Sequence, residues 1–120
     1  MLFYIKSYED KEMKKIFMLA VLIASLSFAS AVTNAEEEGW KAYENKDYAK
    51  AFLLWNKIGE ETKNSDIHKQ LGAMYNQGMG VEKDFKKAYY WLKKSADADN
   101  YLAEYFLGSM YKNGEGVEKN

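Results

Sequence analysis

One hundred and twenty residues with a formal net charge of −1 allow one small domain and give no electrostatic reason to expect a nucleic-acid partner. There is no Cys, which excludes disulfides, thiolate metal sites, a thiol nucleophile and a lipid-modified cysteine anchor. All seventeen basic residues are Lys, so the bidentate Arg fork that reads phosphate and carboxylate is missing. With one histidine, His68, a multi-His zinc site is excluded; no metal and no cofactor is expected.

The front third reads as a targeting segment. From Met13 the chain runs MKKIFMLAVLIASLSFASAVTNAEEE. Lys14 and Lys15 form a basic start, Ile16 to Phe28 an apolar stretch, and Ala29-Ser30-Ala31 a small-x-small cleavage site ending at Ala31. Thr33-Asn34-Ala35 is a second, poorer cleavage site. The apolar run is short for a membrane span, which takes about 20 residues; an uncleaved membrane anchor is the competing reading. Residues 1–12, with Glu9, Asp10 and Glu12 where a leader wants base, read as a misassigned extension ahead of a true start at Met13. The expectation is a signal peptide over 13–31, export to the periplasm or the outside, and contact with the membrane only through that segment before cleavage. Cleavage would leave thirteen Lys against fifteen Asp plus Glu, a charge of −2.

The next segment, 32–63, reads as a helical hairpin with helices near 36–45 and 48–61. Its first helix opens on Glu36, Glu37 and Glu38, a solvated start favoured by the helix dipole. Asp47 would cap the second, whose apolar face is Tyr48, Ala51, Phe52, Trp55 and Ile58.

From residue 64 the chain repeats itself. LGAMYNQGMGVEKD at 71–84 returns as LGSMYKNGEGVEKN at 107–120, an offset of 36. A period of this length points to stacked helical hairpins. Segment 64–99 is a full unit with helices near 66–77 and 85–97; segment 100–120 is a partial one with a helix near 101–112. Ile67, Leu71, Met74 and Tyr75 share one helical face, as do Ala103, Leu107, Met110 and Tyr111. Phe85, Ala88, Tyr89 and Leu92 form the stripe of the following helix, with Trp91 flanking it toward the neighbouring hairpin. Gly72 lies inside a helix at a cost of about 1 kcal/mol relative to Ala, which close approach of the helix carrying Ala88 would offset. Gly78 and Gly80 suit a turn of positive φ values, Val81 returns to the core, and Asp84 caps the helix after it. Asn120 aligns with Asp84, so the sequence stops where a further helix is due. That reads as truncation, or as an open last face filled by a second copy in a homodimer or by another protein.

These residues resemble the Sel-1-like repeat, a relative of the tetratricopeptide repeat. The resemblance is carried by Leu71-Gly72, Tyr75, Gly78-x-Gly80-Val81, Asp84, Lys87-Ala88, Trp91 and Lys94-Ser95-Ala96, with Asp99 and Ser95 departing from the usual Gly and Ala. Gly39, Ala51 and Trp55 resemble a plain tetratricopeptide unit. The resemblance implies an all-α fold, a short α-solenoid of antiparallel helix hairpins. It also implies a non-enzymatic scaffold that takes another protein or a peptide in a groove lined by first helices. His68, Lys69, Glu104 and Tyr105 lie on such helices and are the binding candidates.

Each chemical signal has a plainer reading. His68 reads first as an exposed polar residue without a nucleophile or metal beside it. Lys86, Lys87, Lys93 and Lys94 read as the wet side of their helix. Ser109-Met110-Tyr111-Lys112 satisfies S-x-x-K, but the companion motifs of penicillin-interacting enzymes are absent, and no catalytic residue is assigned. A β-lactamase or related hydrolase, described for cysteine-rich proteins with similar repeats, is the alternative function; a non-functional piece of a longer repeat protein is the third.

Overall fold

A computed structural model describes residues 1–119. It contains α1 (Leu2–Glu44), α2 (Tyr48–Ile58), α3 (Ser65–Gln77), α4 (Phe85–Asp97) and α5 (Tyr101–Asn113), and no strand among the described residues. Asn120, aligned in sequence with the cap Asp84, lies outside the described residues. The chain divides into two compact units, Met1–Thr33 and a second from Asn34 onward.

In the first unit nearly every side chain is exposed, including the apolar run from Ile16 to Phe28. By length and composition α1 is long and apolar enough to cross a membrane. The helix expected to begin near residue 36 is instead the end of this longer one. No Gly or Pro interrupts the sequence before Gly39, so nothing local stops helix propagation there.

The second unit is built from hairpins. Asp47 accepts a hydrogen bond from the Lys50 N–H and Asp84 one from Lys87 N–H, so both expected caps form. Asn64 and Asn100 cap α3 and α5 in the same way, through Asp66 N–H and Ala103 N–H. α2 stops at Ile58, short of the expected 61: beyond it the N–H groups of Gly59 and Glu61 bond three residues back, to the Asn56 and Ile58 carbonyls at 3.4 and 3.0 Å, a tighter turn than the α-helix.

The core holds most of the expected set, with additions, while Tyr48, Phe52, Val81, Phe85 and Tyr89 are only half-buried. Ile67, Leu71, Met74 and Tyr75 of α3 are buried, as are Ala88 and Leu92 of α4 and Ala103, Leu107 and Met110 of α5. Complete burial of a side chain such as Ile67, Leu71 or Leu92 contributes about 1.5–3 kcal/mol. Tyr111 departs from the expected face: it is exposed at its edge, and its hydroxyl lies 2.8 Å from that of Tyr89. Trp55 is fully enclosed, with Trp40 and Tyr43 against it and its indole N–H donating to the Glu36 carbonyl.

Two local features set the spacing of α3 and α4 within their hairpin. At Gly72 an added Cβ would stand 2.5 Å from Leu92 Cγ and 3.1 Å from the Ala88 carbonyl oxygen, so α3 and α4 touch almost backbone to backbone. At the fully buried Ser95 the hydroxyl donates to the Ser65 carbonyl at 2.6 Å. The serine that departs from the family's usual alanine thus ties the end of α4 to the start of α3. Asp99 takes φ +62°, a left-handed conformation that Asp tolerates better than most residues.

Candidate functional site

Where α2 gives way to α3, a small polar cluster gathers around His68. The His68 ring is 4% exposed and stacks on Trp91, centroids 5.6 Å apart. Its Nε2 lies 2.8 Å from the Gly59 carbonyl oxygen. A carbonyl only accepts, so Nε2 carries the hydrogen and Nδ1 is the basic nitrogen. Gly59 leaves room for Trp91: a Cβ there would fall 2.4 Å from the indole ring. Burial pushes the His68 pKa below its ordinary 6.5, against the opposing effect of the Gly59 hydrogen bond.

The rim of this cluster is charged. Glu60 accepts from Lys94 Nζ and from the Tyr90 hydroxyl, each at 2.7 Å. The Lys94 hydrogen bond, then that of Tyr90, holds the Glu60 carboxyl below its ordinary value. The Lys94 ammonium also lies 5.7 Å from the Trp91 ring centroid. Thr62 is buried and donates to the Glu36 carboxylate. Lys94 therefore belongs to a junction between helices rather than to a solvated face.

The expectation of an exposed His68 is overturned. Its neighbour Ile67 is fully buried, and His68 packs on Trp91 and the preceding turn rather than facing solvent. The equivalent Glu104 in the next repeat is exposed. Gly59, a small residue upstream of a helix start, was the sequence signal that a large ring packs there.

The other three candidates are not brought together with His68. Lys69 is largely covered, its side chain 14% exposed, and its ammonium lies 3.6 Å from Asp66. Glu104 is exposed. Tyr105 is 75% exposed and meets Phe106 edge-on, ring centroids 6.3 Å apart. Tyr101 and Leu102 extend this apolar surface along α5. Ser109 Oγ accepts from Asn113 Nδ2 at 3.5 Å, a contact within its own helix.

Sequence reasoning also missed a cleft of about 410 Å³ between α2 and the turn after α3. Phe52 and Tyr75 form its aromatic wall, rings edge to face at 5.2 Å, and the Lys87 ammonium lies 5.6 Å from the Tyr75 ring centroid. Phe52 and Lys87 were read separately, one as core stripe and one as wet face; only the tertiary packing joins them. Among the described residues no group of three or more His, Asp or Glu could hold a metal ion.

Known proteins agree with this architecture. The Sel1 repeat family model matches residues 68–100 and 102–120. The chain carries Sel1 repeats. A solved structure, that of a Sel1 repeat protein from Oxalobacter formigenes, is 39% identical with a TM-score of 0.64. That likeness covers 70% of this chain and 34% of the other, so this chain spans about a third of its relative's length. No curated protein matches. Sel1 repeats generally mediate protein–protein interaction. On this numbering the first Sel1 repeat begins at His68 itself, and the His68 cluster is the joint between the first hairpin and that repeat.

Proposed function

We propose that this chain is an exported, non-catalytic scaffold whose Sel1 repeats hold a segment of another protein. The observation that carries the reading is the outer surface of α5, where Tyr101 and Tyr105 stand 74% and 75% exposed beside Leu102. Tyr offers a large, rigid, amphipathic contact area at low entropic cost, which is why it is enriched at binding hot spots. The exposed Glu104, between them in sequence, supplies charge for register rather than affinity; Lys69, at the Tyr105 position of the first repeat, is largely covered and paired with Asp66.

A photo-crosslinking benzoylphenylalanine at position 105 is expected to trap a defined protein in the native cell, while the same group at the exposed Lys57 of α2 traps none. Tyr105→Ala should then weaken binding of the purified partner at least about tenfold, a hot-spot loss of about 1.4 kcal/mol. Equal trapping from both positions, or unchanged affinity, would remove α5 from the binding surface.

Export rests on the leader pattern ending at Ala31, and on the apolar, exposed character of that part of α1. Protein recovered from its native cell is expected to begin at Val32 by N-terminal mass analysis. A recovered chain that still begins at Met1 or Met13 would instead make the segment a retained membrane anchor.

A further inference from the structure

The buried histidine at the joint fastens two elements of the fold, and its surroundings give it a further use. We propose that His68 makes the joint between the first hairpin and the first Sel1 repeat proton-sensitive: tight when the imidazole is neutral, loosened when it is protonated. The proposal does not depend on the export or partner readings.

Three structural facts lead there. The Nε2–H bond to the Gly59 carbonyl spans the end of α2 and the start of α3, so the same ring that would titrate also fastens the two elements. That bond commits Nε2 as donor, which leaves Nδ1 to take any added proton. The ring is closed in by Trp91, which in turn sits on Gly59, so an imidazolium there would be a charge in a confined and largely dry site.

The charged groups facing the ring do not rescue it. From α1 comes Glu36, engaged by the Thr62 hydroxyl. From the α2–α3 turn comes Glu60, engaged by Lys94 and Tyr90. From α4 comes the Lys94 ammonium, a like charge near the same Trp91 ring. The Gly59 hydrogen bond and both carboxylates favour the imidazolium, but burial outweighs them and Lys94 opposes them. The sign follows. With the folded pKa below 6.5, the opened joint takes up the proton first, so stability is complete above that pH and is lost as pH falls through the window beneath it. Glu60, with its own depressed value, acts only further down, below its ordinary 4.5.

His68 is the only histidine in the chain, so its proton resonance is unambiguous. In the full chain, held in a mild detergent, the imidazole Cε1–H shift is expected to titrate with a midpoint below 6.5. Amide exchange at residues 59–64, corrected for the intrinsic pH dependence, should become several-fold faster between about pH 7.5 and about pH 5. His68→Gln keeps an N–H donor for the Gly59 carbonyl without titrating, and its corrected exchange should stay flat over that range. A wild-type midpoint at or above 6.5 overturns the proposal, and so does equal acid-induced opening in wild type and His68→Gln. Should the variant fail to fold, the wild-type midpoint and exchange profile still decide.

Discussion

Replacing Gly80 by Ala is expected to destabilise the protein by about 3 kcal/mol, combining a non-glycine residue at positive φ with a rigid overlap. Gly80 has φ +70°, and its added Cβ would stand 2.4 Å from both the carbonyl carbon and the carbonyl oxygen of Tyr48. That neighbour is backbone at the first turn of α2, held by the Asp47 cap, so it has no rotamer to change. The turn after α3 therefore docks directly on the start of the preceding hairpin's second helix. The arrangement recurs one repeat later, where a Cβ on Gly116 would stand 2.7 Å from the Phe85 carbonyl at the start of α4. Gly78 provides the control. It has nearly the same φ, +71°, yet its Cβ would meet nothing nearer than 3.5 Å. Gly78→Ala should cost only the conformational part, about 1–2 kcal/mol. Urea unfolding of the two variants, compared through midpoints at constant slope, reads the difference. Equal small losses would mean that the turn is not clamped between repeats.

Much of this fold is written in local chemistry. Asp47, Asp84, Asn64 and Asn100 are short polar side chains ahead of apolar stripes, and each caps the helix after it. The 36-residue offset specifies the hairpin repeat because equal spacing puts equal faces in equal places. His68 and Lys94 were not legible for a common reason. Both are polar residues at surface-like positions of amphipathic helices, and their burial or pairing depends on what tertiary packing brings up: Trp91 and the Gly59 turn for His68, Glu60 for Lys94. Glu60 reaches Lys94 across thirty-four residues and Tyr90 across thirty, and helical periodicity carries no information about such pairings. The long α1 was missed for the opposite reason. Its sequence was divided by function, leader against fold, while the backbone responds only to the absence of a breaker before Gly39.

The same glycine in two repeats is expected to answer the same substitution with opposite signs. Gly72→Ala should destabilise by about 2 kcal/mol, because the new methyl overlaps Leu92 at its branch carbon, 2.5 Å away, beside the Ala88 carbonyl at 3.1 Å. Leu92 is fully buried, so it has nowhere to swing. The overlap outweighs the gain of about 1 kcal/mol that Ala brings to a helix interior over Gly. Gly108 aligns with Gly72, but an added Cβ there would meet nothing within 4 Å. With no overlap to oppose it, only the helix gain remains, and Gly108→Ala should stabilise α5 by up to about 1 kcal/mol. Urea midpoints on the full chain test both arms, and α5 amide exchange isolates the second if its unfolding is local. Destabilisation by both variants would show that the face of α5 around Gly108 is occupied in solution, by a neighbouring molecule packed as closely as α4 packs on α3. The pair of substitutions thus reads out both the helix contact inside the first Sel1 repeat and the state of the equivalent face in the second.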